Sequence, residues 1–209
     1  MPHLLRIDAS ISPESRTRAI ADAFEDAWRA RGPEWTVHVR DVVADPLPHL
    51  TSTALHWPER LRGDMQAPAD HEALQQRVLT EIEAADVLLV GVPMYNFSLP
   101  SQLKSWLDLV HVPGLTAPSD GNPQPFAGKT AVLVTARGAV YDEESLALLD
   151  HAIPPVRIVL ERGLGMHVST IATNRTIAAM KPEFDAELAQ VELDAALAAA
   201  REHATAFTP

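Results

Sequence analysis

Short apolar runs of strand length alternate along this chain with segments whose apolar residues recur every three or four positions. His3–Ala9 is the first run, and Leu4, Leu5 and Ile7 give it strand character. A Ser/Thr-rich turn follows, then a helical pattern from about Thr17 to Arg31 that Gly32-Pro33 stops. Trp35–Val42 alternates bulky and polar residues, as a second strand does. Leu74, Val78, Leu79 and Ile82 share one face of a helix expected over 69–84. Val87-Leu88-Leu89-Val90-Gly91-Val92 is apolar without alternation, which predicts a strand covered on both faces. Pro100 suits the first turn of the next helix, whose Leu103, Trp106, Leu107 and Val110 recur at helical spacing. Thr130–Thr135 is a fourth strand and Met166–Ala172 a fifth. Between them helical material is expected from about Glu143 to Leu164, broken or restarted at Pro154-Pro155. Pro182 to Ala206 is a long Ala/Glu-rich helix to which no chemistry is assigned.

Strands and helices in alternation predict an α/β fold, a doubly wound five-stranded parallel sheet with right-handed crossovers and helices on both faces. No repeat or linker divides residues 1–209, so a single domain is expected. Two irregular stretches, 45–69 and 113–128, are long for loops in a compact domain, and loops of that length serve as lids or partner contacts.

Composition narrows the functional classes. The 46% hydrophobic content is ample for one core, and no run approaches the ~18 apolar residues of a membrane span. The first residues read as a strand, not as a signal peptide. The absence of cysteine removes disulfides, thiolate zinc sites and cysteine nucleophiles. A net charge of -11 argues against a nucleic-acid or anionic-membrane surface, and a soluble cytoplasmic protein is the economical expectation.

Open parallel sheets bind ligands beyond the C-terminal ends of their strands, and three turns there carry chemistry. After strand one, Ser10, Ser12, Ser15 and Thr17 supply hydroxyls and Arg16 and Arg18 charge, next to the unpaired N–H groups of a helix start. No Gly-x-Gly-x-x-Gly or Gly-Lys-Ser/Thr pattern is present, so a monophosphate fits better than a dinucleotide or a nucleoside triphosphate. The same hydroxyls could instead only cap the helix. After strand three, Pro93-Met94-Tyr95-Asn96-Phe97 presents a thioether, two aromatic rings and an amide, a surface suited to a flat aromatic ring system, although Tyr95 or Phe97 alone would serve as packing. After strand four, Gly138 of Ala136-Arg137-Gly138-Ala139 allows either close approach of a ligand or positive φ in a turn.

With Gln102-Leu103-Lys104, Trp106 and Asp108, these residues resemble the FMN-dependent NADH:azoreductase and quinone-reductase family, and the likeness in element order spans nearly the whole chain. Pro-Met-Tyr-Asn-Phe is its specific part. The resemblance implies a flavodoxin-like sheet of order 2-1-3-4-5, with Ser10, Ser15, Arg16 and Thr17 on the FMN phosphate. It implies Pro93 and Met94 to Phe97 along the isoalloxazine, and Ala136, Arg137, Gly138 and Ala139 at the pyrimidine end. It further implies a homodimer with the flavin at its interface, and a ping-pong hydride transfer from NADH or NADPH to a quinone, an azo compound or another small aromatic acceptor. Reduced flavin gathers negative charge near N1 and O2, so Tyr141 and Arg137 are candidate catalytic donors, with Asn96 beside them on the flavin loop. The family commonly carries Ser-Arg-Gly-Gly and then His where this chain has Ala136-Arg137-Gly138-Ala139 and Tyr141. It also has aromatic residues after helix three with no clear counterpart between Thr116 and Phe126. These departures bear on substrate choice more than on cofactor binding.

Three alternatives come from other classes. A flavodoxin-like electron carrier would suit the acidic surface, but carriers are usually shorter and lack such long loops. A hydrolase built on Ser10 or Ser12 lacks a Gly-x-Ser-x-Gly elbow and a recognisable base. A metal site from His49, His56 and His71 has no supporting spacing.

Overall fold

The computed structural model describes residues 1–119, 124–141, 144–178, 180–181, 183 and 185–209. The expected helix starts at Glu143 and Pro182, and residues 120–123 of the second irregular stretch, lie outside them. Five parallel strands, β1 (His3–Asp8), β2 (Thr36–Asp41), β3 (Val87–Pro93), β4 (Thr130–Ala136) and β5 (His167–Thr173), form one sheet in the order β2-β1-β3-β4-β5. This is the expected flavodoxin-like order.

The alternation of side chains along each strand separates two cores. Leu5, Ile7, Leu88, Val90, Val92, Ala131 and Leu133 face α2 (Ala69–Ala84), α3 (Ser101–Val110) and α5 (Ile153–Arg157), where Val78, Ile82, Leu103, Trp106 and Val156 are buried. Leu4, Val87, Leu89, Val132 and Val134 face α1 (Arg16–Arg29) and α6 (Ala186–Ala206). There Ala196, Ala200 and Ala204, spaced four positions apart, let α6 approach closely. Both faces are covered, which is why β3 reads as an unbroken apolar run.

Several boundaries differ from expectation. Helix α1 begins at Arg16, because Ser15 accepts from Arg18 N–H and so sets the start one residue earlier. Pro100 flanks α3 rather than entering it, and β5 ends one residue later than expected. The helical stretch before β5 is in pieces: a short α4 (Glu144–Ala147), a break, α5, and a π-helical turn over Ile158–Gly163 in which Leu164 N–H reaches Val159 O at 2.8 Å. Pro154 and Pro155 sit in the first turn of α5, where their missing N–H groups cost nothing, so they restart the helix and do not break it. The 45–69 stretch contains two short 3₁₀ turns, Thr53–His56 and Glu59–Leu61. It joins the second irregular stretch through Arg60 Nη2, which donates to Gly114 O at 2.7 Å.

Candidate active site

The chain leaves β1 toward β2 on one side and has β3 on the other, so a crevice opens beyond the C-terminal ends of β1 and β3. A cavity of about 380 Å³ lies there, lined by Ser10, Ser15, Thr17, Met94, Tyr95 and Ala136 among others. A larger cavity of about 490 Å³ opens at the opposite rim, where Val87 and Thr130 begin their strands. Its lip carries Glu202 and His203, and none of the three turns after β1, β3 and β4 lines it.

Ser15 caps α1, its Oγ accepting from Arg18 N–H at 3.1 Å and lying 2.7 Å from Thr17 Oγ1. Arg18 N–H is thus taken and Ala19 N–H bonds Ser15 O, which leaves the N–H groups of Arg16 and Thr17 as donors at the positive end of the helix. Capping and anion binding are compatible here, since Ser15 does the first while lining the cavity. The guanidinium of Arg16 reaches the end of β5 and the first turn of α6, donating to Asn174 O and Ala189 O, both at 3.2 Å. Arg18 donates to Ser10 O and pairs with Asp8, which Arg6 also binds from inside β1. Burial works against the Arg6 charge, but hydrogen bonds and charge from Asp8 and then Asp22 outweigh it and hold the guanidinium above its ordinary value.

The loop after β3 is a two-residue reverse turn. Tyr95 N–H bonds Ser98 O at 2.9 Å and Ser98 N–H bonds Tyr95 O at 3.0 Å, with Asn96 at φ 49° and Phe97 at φ 70°. Positive φ at both central positions is type I′ geometry, which non-glycine residues adopt at a cost. Such strain is common where a ligand is clamped. The N–H groups of Asn96 and Phe97 have no partner among the described residues. Tyr95 Oη ties this loop to the first one, 3.0 Å from Ser10 Oγ and accepting Ile11 N–H at 3.1 Å.

After β4 the guanidinium of Arg137 turns into the protein. It is 7% exposed, donates to Asn174 Oδ1 at 2.9 Å and pairs with Asp150 at 3.3 Å. It also lies 5.7 Å from the ring centroid of Tyr141. Gly138 does not adopt positive φ; a Cβ there would meet Ile177 Cγ2 at 3.4 Å, so the tight spot is a contact with the β5–α6 connection.

Of the expected site residues, Ser10, Ser15, Arg16, Thr17, Pro93, Met94, Tyr95 and Ala136 therefore share the cavity. Asn96 and Phe97 form its exposed turn, while Arg137, Gly138, Ala139 and Tyr141 stand beside it. Thr176 and Met180, which also line it, were not anticipated, because nothing in Asn174-Arg175-Thr176 marks a binding turn beyond its place after β5. The histidines of the metal alternative serve other contacts: His49 pairs with Ser105 and His71 with Thr51. Among the described residues no group of three or more His, Asp or Glu could hold a metal ion.

A hydroxyl- and N–H-lined seat joined to an aromatic turn, at the β1/β3 switch point of a doubly wound sheet, defines a mononucleotide-binding class of protein. The chain belongs to the flavodoxin-like fold family, which matches residues 2–203. It is 48% identical over 207 residues to an FMN-dependent NADH:quinone oxidoreductase of Kineococcus radiotolerans, covering 97% of this chain and 98% of that one. A protein of the same description from a Parafrankia species is 34% identical, covering 99% and 100%. Among solved structures, an azoreductase from Bacillus anthracis superposes with a TM-score of 0.81 at 21% identity, covering 99% of this chain and 100% of that one, a likeness of fold.

Proposed function

We propose that this chain is an FMN-dependent oxidoreductase that takes two electrons from NADH or NADPH and delivers them to a quinone, an azo compound or another electron-poor aromatic acceptor. Near full-length likeness to quinone oxidoreductases supports the activity. The observation that carries it is the meeting, at one cavity, of a helix-start anion seat and a strained turn whose two N–H groups have no partner among the described residues. These fit the two halves of FMN: a phosphate and a flat ring with acceptors at its edge. When bound, the flavin supplies the hydride chemistry itself.

The protein's part is to hold and tune. Ser10, Ser15 and Thr17, with the N–H groups of Arg16 and Thr17, seat the phosphate. Pro93, Met94 and Tyr95 wall the ring, and the Asn96 and Phe97 N–H groups donate to its edge. Arg137, Gly138 and Ala139 border the pyrimidine end through their main chain, and the buried Arg137 charge with Tyr141 stabilises negative charge there. A Tyr141→Phe variant with an unchanged flavin-reduction rate would remove Tyr141 from this role.

Ile11, Phe97, Leu148 and Met180 are 61%, 53%, 75% and 77% exposed in the turns of this rim and the segments leading from them. Large apolar side chains left in water are covered when copies associate, and the proposed assembly is a homodimer closing over the flavin. A monomeric mass in sedimentation equilibrium at micromolar concentration would refute it. No described helix is long and apolar enough to cross a membrane, and the proposed setting is the cytoplasm, with the whole chain acting as one domain.

The deciding measurement is the absorption of freshly purified protein. A flavin band near ~450 nm that bleaches anaerobically with NADH or NADPH is expected. Folded protein that takes up no FMN would overturn the reading, and bound flavin that fails to bleach would favour an electron carrier.

A further inference from the structure

We propose that Asp150 is a positioning residue that locks the loop after β4 to the flavin turn, so that both walls of the site are set by one carboxylate. The proposal rests on the flavin site described above. Asp150 does not line the cavity, yet its two oxygens and the next peptide reach three elements. Oδ2 pairs with Arg137 Nη1 at 3.3 Å, with both side chains at most 10% exposed. Oδ1 accepts from the N–H groups of Ala152 and Ile153 at 2.9 and 3.0 Å, fixing the start of α5. The adjoining His151 donates its N–H to Phe97 O at 2.9 Å, and its carbonyl accepts from Ser98 Oγ at 3.3 Å.

The turn needs such a support. Positive φ at two successive non-glycine residues persists only where the surroundings over-determine the backbone. Among the described residues, the turn has within itself the Tyr95–Ser98 pair of bonds, and Phe97 O accepts from His151 N–H. Arg137 in turn holds the loop after β4 to β5: its N–H donates to Thr173 O and its carbonyl accepts from Thr176 N–H. Asp150 therefore sits between the strained turn and the Arg137 loop. Removing its charge leaves a buried guanidinium with one partner fewer and frees the segment that clasps Phe97.

Two readouts test this, one of which needs no flavin. In flavin-free Asp150→Ala protein, the His151 amide should exchange with solvent about tenfold faster than in the wild type, the loss expected for a charged hydrogen bond. The dissociation constant for FMN, read by quenching of flavin fluorescence, should rise by about tenfold as well. Asp150→Asn, which still offers Oδ1 to the α5 N–H groups but no charge to Arg137, should fall between. Val156→Ala removes buried volume from α5 without touching the clasp. It should lower the melting temperature yet leave FMN affinity within about twofold.

FMN affinity within about twofold of wild type in Asp150→Ala overturns the proposal, as does equal weakening in Val156→Ala. Should Asp150→Ala fail to fold, Asp150→Asn decides: wild-type affinity overturns the proposal and a clear loss supports it. If the wild type takes up no FMN, the flavin reading fails, while His151 exchange still shows whether the clasp exists.

Discussion

Tyr95 and Ser10 are 85 positions apart in the chain, and their hydroxyls meet at 3.0 Å. Because Tyr95 Oη also accepts Ile11 N–H, one phenol fixes the loop after β1 against the loop after β3. Tyr95→Phe should cost about 1 kcal/mol in urea unfolding, toward the low end because Ile11 N–H can turn to water. FMN should bind several-fold more weakly to that variant, by fluorescence titration; wild-type values in both would show the link to be incidental. Ser15 separates its two roles in a similar experiment. Losing the cap should cost Ser15→Ala about 1 kcal/mol in the flavin-free protein. If Ser15 also touches phosphate, saturating FMN should stabilise the variant less than it stabilises the wild type, since ligand stabilisation follows affinity.

At the scale of elements, the turn after β3 carries the sharpest expectation. A left-handed backbone costs an L-residue with a Cβ roughly 1–2 kcal/mol, asparagine less and glycine nothing. Asn96 sits at φ 49°, so thermal stability should run Asn96→Gly at or above wild type, Asn96→Ala below and Asn96→Val lowest. The same stability for all three would mean that the turn relaxes. This turn was only half legible beforehand. Pro-Met-Tyr-Asn-Phe announced an aromatic loop, but only Asn96 hinted at a left-handed residue, and Phe97 at φ 70° ran against its own preference. The strands were legible because β1, β3 and β4 are buried on both faces, and burial writes itself as apolar runs. The stretch before β5 was not, because Pro154 and Pro155 read equally as a break or a start, and the choice fell to Asp150, which accepts the N–H groups of Ala152 and Ile153 where α5 begins. The direction of the Arg137 side chain was hidden for a related reason. Its inward direction is set by Asp150 and Asn174, which lie 13 and 37 positions further along the chain.

For the whole molecule, the question is how two long irregular stretches stay attached to a wound sheet. Gln75 Nε2, buried in α2, donates to Leu55 O and Leu109 O, and Arg60 bridges to Gly114 O. His111, at the end of α3, is a titratable group packed into this assembly. Its ring packs so closely on Gly163 that a Cβ there would lie 2.6 Å away. Burial, then the nearby charge of His56, holds its pKa below the ordinary 6.5, with Asp108 pulling weakly the other way. Folding therefore favours the neutral imidazole, and below about pH 6.5 the unfolded chain binds a proton that the folded one refuses. The contribution of His111 is complete above that pH. It is lost progressively as the pH falls from 6.5 toward the lowered folded value, and is constant below it. Burial and the charge of His38 lower His3 in the same direction, against a weaker pull from Asp86, so the two slopes add. Melting temperature plotted from pH 7.5 to 5 should fall less steeply for His111→Gln than for the wild type, even if the variant starts lower because the ring no longer packs on Gly163. Parallel curves would show that His111 gains its proton as readily folded as unfolded, and that the long loops leave it open to water.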